Sequence, residues 1–382
     1  MSQNVKKFLR FAIIGAPNVG KSLLTNQLVK ANVAAVSKRM DTTRTNLTAA
    51  YTNNSCQLVC VDSPGLVGIQ HATSVSEGED LTILTDPEKA MKKAEHILVV
   101  QDATHTGDYL HHRAMFLLHK YSHVPSTLVI NKVDLIKDRS TLLPLVKILT
   151  HDQVGGQKIA TKRVSFGRLG KLNEDRLLNE SKNGIPLYEK GNFNIEGLDE
   201  KQKGLYRRLM STPYDKCSWN ETKKVFLDIR GWPNFESVFF VSSLTGEGID
   251  GLRDYLLKLS SPGKWIYDEN TLTTKNPKDI CLDQIRAECL NFLPQEVGYG
   301  IKLKIMEWNF INDRDHLNII IELVCKNKRW AKLLLQTNPS KLDLIEETVN
   351  NAVQNLINQP LYIKLLVKYK GKTVTVDNHE SL

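Results

Sequence analysis

The stretch Phe8-Leu9-Arg10-Phe11-Ala12-Ile13-Ile14-Gly15-Ala16-Pro17-Asn18-Val19-Gly20-Lys21-Ser22 decides the fold. Its first half is largely apolar and partly branched and stops at Gly15. Beyond Lys21 the apolar residues Leu23, Leu24, Leu28 and Val29 fall at helical spacing. The order is strand, loop, helix. G-x-x-x-x-G-K-S at such a junction is a phosphate-binding loop, because glycines let backbone N–H groups wrap an anion and the helix N-terminus adds partial positive charge. Gly15, Ala16, Pro17, Asn18, Val19 and Gly20 form the cradle, Lys21 supplies a point charge at the β- and γ-phosphates, and Ser22 offers a hydroxyl to Mg2+. The pattern constrains only four of eight positions, so its weight rests on its context.

Outward from it, apolar runs at 57–61, 97–101, 127–130 and 238–241 read as buried parallel strands with helical stretches between them. This predicts a doubly wound, mostly parallel α/β sheet. Asp62-Ser63-Pro64-Gly65 puts a carboxylate at a strand's C-terminal edge, suited to holding Mg2+ through water, and a Gly65 N–H suited to the γ-phosphate. Thr43, or its neighbour Thr42, is the candidate second Mg2+ hydroxyl, on a loop that orders with the γ-phosphate.

Asn131-Lys132-Val133-Asp134 chooses the base. Asp134 can accept hydrogen bonds from guanine N1–H and the 2-amino group, whereas adenine leaves the carboxylate unpaired at a cost of about 1–3 kcal/mol. Asn131 is expected to tie this loop to the phosphate loop, the Lys132 stem to cover the base, and Ser242, Ser243 and Leu244 to complete the base pocket by backbone contact. Leu66 follows Asp-x-x-Gly and cannot orient a water, so intrinsic GTP hydrolysis should be slow. Asn18, among loop carbonyls, can help hold a monovalent cation near the phosphates, which makes it a catalytic candidate beside Lys21 and Thr43.

At 382 residues the chain exceeds what one hydrophobic core usually serves, so two domains are expected. No apolar run approaches the roughly 18–20 residues needed to span a bilayer, so a soluble chain, peripheral to membranes at most, is expected; a monomer is also expected. Lys and Arg number 51 against 42 Asp and Glu, a net +9 that favours polyanionic partners without requiring them. Cys56, Cys60, Cys217, Cys281, Cys289 and Cys325 show no C-x-x-C and no zinc-ligand spacing and read as reduced, mostly buried thiols. The first strand begins near Phe8, so no presequence is visible ahead of it.

One connection breaks the α/β rhythm. Far more chain separates Asp134 from Ser242 than the single helix of about 15–20 residues that would cross the sheet, so an insertion is expected at about 150–235. Residues 158–208 hold 12 Lys or Arg against 7 Asp or Glu with little periodicity, which predicts a weakly basic, solvated surface loop. Ser260-Ser261-Pro262-Gly263 reads as a linker, dividing a nucleotide-binding domain at 1–260 from a second unit at 261–382. That unit reads as a helix at 277–290, alternating runs Ile301/Leu303/Ile305 and Leu317/Ile319/Ile321/Leu323, helices at 328–335 and 341–356, and a strand at 361–367.

With these motifs, the run Asp41-Thr42-Thr43-Arg44 and the C-terminal α-β-β-α-α-β order, the chain resembles the Era family of ribosome-assembly GTPases along its whole length. The stretches 261–265 and 293–297 and the insertion are most similar to the animal mitochondrial branch. The resemblance implies a type II KH-like domain gripping the 3′-terminal region of small-subunit rRNA, with GTP and GDP states coupling its release to maturation of the small ribosomal subunit. It also implies a potassium role for Asn18 and a mitochondrial location, in the matrix or at the inner membrane. One departure stands out. The KH backbone clamp needs a G-x-x-G turn, and Gln336-Thr337-Asn338-Pro339 stands there instead. Pro339 is placed to start the next helix, and Lys328, Arg329, Lys332 and Lys341 leave a basic face for RNA. Two functions stay open: an RNA-binding assembly factor, or a GTPase switch whose second domain has become a protein-interaction module. A membrane-trafficking switch is disfavoured, since His379-Glu380-Ser381-Leu382 carries no lipidation motif.

Overall fold

β1, Lys7–Gly15, is buried along its second half because parallel strands flank it on both sides there. The computed structural model describes residues 5–37, 47–63, 66, 82–104, 109–159, 187–189, 191–311, 316–336, 339–357 and 360–374. Thr42, Thr43, Gly65, Thr337 and Asn338 lie outside them. The chain divides into two compact units, Met1–Leu28 with Thr43–Thr271 and Val29–Thr42 with Leu272–Leu382.

The first unit carries β2 (Leu47–Asn53), β3 (Cys56–Asp62), β4 (His96–Asp102), β5 (Ser126–Asn131) and β6 (Phe235–Phe240) beside β1 in the order β6-β5-β4-β1-β3-β2. All neighbours are parallel except β2, which runs antiparallel to β3. Every residue of β3 and β5 is buried, the polar Gln57 included, as suits strands with a neighbour on each side. β2 was not anticipated, because its polar Thr48, Tyr51 and Thr52 break any apolar run. The strand expected as buried near 238–241 is instead the half-exposed β6: among the described strands it pairs with β5 alone, and Phe240 is 41% exposed.

Around this sheet lie α1 (Lys21–Val29), α2 (Thr82–Lys93), α3 (His112–Lys120), α4 (Leu142–Leu149), α5 (Glu200–Ser211), α6 (Trp219–Phe226) and α7 (Ile249–Leu259). The described part of the insertion is not the solvated loop expected. Asp199 with Gln202, and Ser218 with Glu221, form capping boxes that start α5 and α6. Leu198, Leu209, Tyr214, Val225, Phe226 and Trp232 then enter the same hydrophobic core as Phe116 and Leu117 of α3. These anchors are spaced widely among charged residues, so composition hides them. Residues 160–186 lie outside the described residues.

The expected linker also has structure. Ser261 and Pro262 pair antiparallel with Phe8 and Lys7, and Trp265 Nε1 donates to the Lys7 carbonyl at 3.0 Å. The buried Gln57 amide accepts the N–H groups of Ile266 and Tyr267 and donates to the Tyr267 carbonyl. These bonds carry the first unit on to Thr271 rather than ending it at Ser260.

The second unit holds α8 (Pro277–Phe292), α9 (Gln295–Gly300), β7 (Lys302–Ile311), β8 (His316–Cys325), α10 (Lys328–Leu335), α11 (Lys341–Ile357), β9 (Leu361–Tyr369) and β10 (Lys372–Val374). Its sheet runs β7-β8-β9-β10, with β8 and β9 parallel and the outer pairs antiparallel. Leu317, Ile319, Ile321 and Leu323 of β8 join Leu334, Ile345 and Val349 of the helices in one core. A bulge between Ile305 and Glu307 shifts the register where the Leu303/Ile305 alternation ends. Pro339 does not start α11: Ser340 caps it, its Oγ accepting from Asp343 N–H at 3.1 Å while Asp343 Oδ2 accepts from Ser340 N–H at 3.0 Å. The fold is thus a P-loop α/β sheet followed by a smaller α+β unit. The six cysteines are buried and unbridged, and no helix among the described residues is long and apolar enough to cross a membrane.

Candidate functional site

Because β1, β3, β4, β5 and β6 run parallel, Gly15, Asp62, Asp102 and Asn131 all arrive at one edge of the sheet. Two glycines shape the phosphate loop there. A Cβ on Gly15 would lie 2.5 Å from the Val100 carbonyl oxygen, so only glycine lets the loop turn off against β4. Gly20 has φ +95° and would meet Asn131 Nδ2 at 2.3 Å. Asn18 is exposed and left-handed at φ 61°, a conformation asparagine tolerates. Val19 between them is buried, and Ala16 and Pro17 are half-buried.

Lys21, 6% exposed, folds its Nζ back over the loop, 3.3 Å from the Gly15 carbonyl oxygen and 3.0 Å from that of Ala16. Ser22 follows in the first turn of α1, which has no acidic residue to cancel its positive end. Asp62 ends β3, fully buried and in register with Ile13, and Ser63 Oγ donates to the Ile13 carbonyl at 2.7 Å. Leu66 is fully buried, its side chain in the core and its N–H 3.4 Å from the Gly15 carbonyl oxygen. It presents nothing that could hold a water.

On the base side Asn131 joins three segments. Its Nδ2 donates to the Val19 carbonyl at 2.8 Å, and its Oδ1 accepts from Ser243 N–H at 2.9 Å and Ser243 Oγ at 3.0 Å. Lys132 is left-handed, and its Nζ lies 2.6 Å from Asp102 Oδ2. Burial would raise the Asp102 carboxyl, but hydrogen bonds from Lys132 and Thr104 outweigh it and hold the group below its usual range. Asp134 is exposed. Ser242 and Ser243 are buried, whereas Leu244 is 72% exposed. The loop that carries them is braced twice: Gln27 Nε2 of α1 donates to the Ser243 carbonyl at 3.0 Å, and Arg139 forms a bidentate pair with Glu247 at 2.7 and 2.9 Å.

The structure therefore brings the 15–22 loop, Asp62, 131–134 and 242–244 to one edge. Lys328, Arg329, Lys332 and Lys341 belong to the second unit, at α10 and the start of α11, the first two exposed and the others half-buried. Sequence reasoning missed Asp102, Gln27 and the Arg139–Glu247 brace. Asp102 carried a readable signal, a carboxylate ending an apolar strand, the same signal that marks Asp62. Gln27 carried none, since its partner is 216 positions away. The oxygen donors Ser22 and Asp62 suit a hard divalent cation such as Mg2+, and the cradle that a Cβ at Gly15 or Gly20 would disturb suits a phosphate.

A family profile described as "50S ribosome-binding GTPase" matches residues 10–132. The mitochondrial GTPase Era of Caenorhabditis elegans is 42% identical over 98% of this chain and 92% of its own. That of Salmo salar is 31% identical over 96% of this chain and 77% of its own. Among solved structures, Aquifex aeolicus Era bound to GDP and AlF4− superposes with a TM-score of 0.63 at 19% identity, over 95% of this chain and 94% of the other. Era in complex with MgGDPNP and nucleotides 1506–1542 of 16S ribosomal RNA gives 0.62 at 19% identity, over 98% and 96%.

Proposed function

The chain belongs to the Era family of GTPases, and from that premise we propose that it is an assembly factor for the mitochondrial small ribosomal subunit, holding small-subunit rRNA near its 3′ end. As a family member it binds and hydrolyses GTP. The observation that carries the nucleotide site is Asn131, which fastens the phosphate loop and the 242–244 loop to each other. In this reading backbone N–H groups of 15–20 and Lys21 hold the phosphates, Asp134 reads guanine, and the Lys132 stem, fixed by Asp102, lies over the base. Ser22, Thr43 and, through water, Asp62 hold Mg2+, which when bound supplies positive charge at the β/γ-phosphate oxygens. Asn18 helps to hold K+, and the buried Leu66 keeps intrinsic turnover slow.

For RNA, support comes from the family's rRNA-bound structure, the basic residues of α10 and α11, and the net charge of +9. The experiment is binding of a 3′-end rRNA oligonucleotide by the GTP-loaded chain across a salt series. Each of Lys328, Arg329, Lys332 and Lys341 that touches a phosphate adds about 0.7 to the slope of log affinity against log salt, so replacing it with Gln removes that much. Absence of binding at low salt would sink the reading. It would leave the second one, a protein-interaction module, which the loss of both turn glycines favours.

A further inference from the structure

α2 is the first described helix after the Asp62–Gly65 motif, and near its middle Glu88 is a buried carboxylate, 6% exposed. Three donors converge on it: Tyr214 N–H at 2.8 Å, Tyr121 hydroxyl at 3.0 Å and Lys120 Nζ at 3.1 Å. Burial alone would raise this carboxyl, and the three donors reverse that. Tyr214 belongs to the insertion, while Lys120 and Tyr121 close α3. Lys120 also donates to the Thr212 carbonyl at 2.5 Å, so one ammonium joins α2 to the insertion. From the other side Arg113 of α3, with no exposure, lies 4.6 Å over the Tyr214 ring and donates to the Cys217 carbonyl at 2.7 Å.

Residues 212–217, between α5 and α6, are thus pinned to α2 through Glu88 and to α3 through Arg113. A buried ion pair is a poor way to gain stability, since apolar residues of the same volume usually do as well, but it holds one register and resists others. In GTPases the segment after Asp-x-x-Gly follows the γ-phosphate.

We propose that Glu88 is a positioning residue that fastens α2, the first described helix after the γ-phosphate loop, to the inserted segment, so that α5 and α6 report the nucleotide state and in turn bias it. The coupling is reciprocal: a partner that docks on α5 and α6 changes the preference for GTP over GDP by the same factor that GTP changes its affinity. The proposal rests on the reading of Asp62–Gly65 as the γ-phosphate loop.

The test is amide hydrogen exchange of the full chain loaded with GDP or with a non-hydrolysable GTP analogue, alongside affinities for both. Peptides covering 200–226 differ in protection between the two states in the parent. Glu88→Gln, which keeps an oxygen for Tyr214 N–H but loses the charge for Lys120, abolishes that difference and shifts the GTP:GDP affinity ratio by about fivefold or more. Lys120→Met does the same, and combining the two adds little. A merely structural role would lower both affinities together and leave their ratio alone. A parent that binds both nucleotides with equal protection at 200–226, or variants that keep the parent ratio, overturn the latch. A parent that binds no nucleotide overturns the nucleotide reading and the latch with it.

Discussion

Asn131→Ala removes three hydrogen bonds from one buried point. Val19 loses the donor to its carbonyl, and Ser243 loses the acceptor for both its N–H and its hydroxyl. Asn131 is 1% exposed and Ser243 2%, so water cannot replace the amide without the loops parting. The hydroxyl can rotate to another acceptor, but the Val19 carbonyl and the Ser243 N–H cannot. Two to three net hydrogen bonds, with two groups left unsatisfied, come to about 2–4 kcal/mol. The loss falls on the registration of the two loops, because β1, β5 and α1 keep their own ladders. It should appear as about 30- to 1,000-fold weaker binding of GTP and GDP alike, with a modest fall in melting temperature. Displacement of a fluorescent guanine nucleotide measures the first and a melt without nucleotide the second. Asn131→Asp keeps the acceptor but sets a carboxylate oxygen against the Val19 carbonyl, so it should be no milder. Affinity within threefold of the parent for Asn131→Ala would refute the argument that this amide assembles the site.

Gly20→Ala attacks the same contact from the other side, with a Cβ 2.3 Å from Asn131 Nδ2 at φ +95°. It should weaken nucleotide binding at least tenfold, with a less than additive effect in the Asn131→Ala background; full additivity would separate the two positions. Asp134→Asn should move preference from guanosine to xanthosine nucleotides, and unchanged GTP affinity would contradict the role of Asp134. Turnover in KCl should exceed that in NaCl and lose the difference in Asn18→Ala; equal rates in the parent would remove the cation role. His112 and His119 are held down to about 3, by burial first and neighbouring cationic groups second, against an ordinary 6.5. Between these values the unfolded chain binds the extra protons, so their contribution is complete above pH 6.5. It falls as pH drops, by about 2 kcal/mol per histidine at pH 5. Melts from pH 7.5 to 5 should show that decline and a shallower one in His119→Gln; parallel curves would count against the linkage.

By itself the sequence determined the motifs of the candidate nucleotide site, because each of those signals is local. Glycine spacing sets the phosphate loop, a carboxylate and an amide ending apolar strands mark Asp62 and Asn131, and Asp134 follows three positions on. The alternating runs of the second unit were equally legible, up to the bulge after Ile305. Tertiary structure alone decided the rest. The insertion looked like loop because composition averages over a window, while its helices are started by capping boxes and held by anchors such as Tyr214 and Trp232 that meet α3 only in space. The 260–263 stretch looked like a linker, but Ser261 and Pro262 pair with Phe8 and Lys7 from the far end of the first unit. A pattern can disclose what a residue does with its near neighbours, but the pairings of Gln27 with Ser243, Lys132 with Asp102 and Glu88 with Tyr214 exist only once the strands that carry them lie side by side.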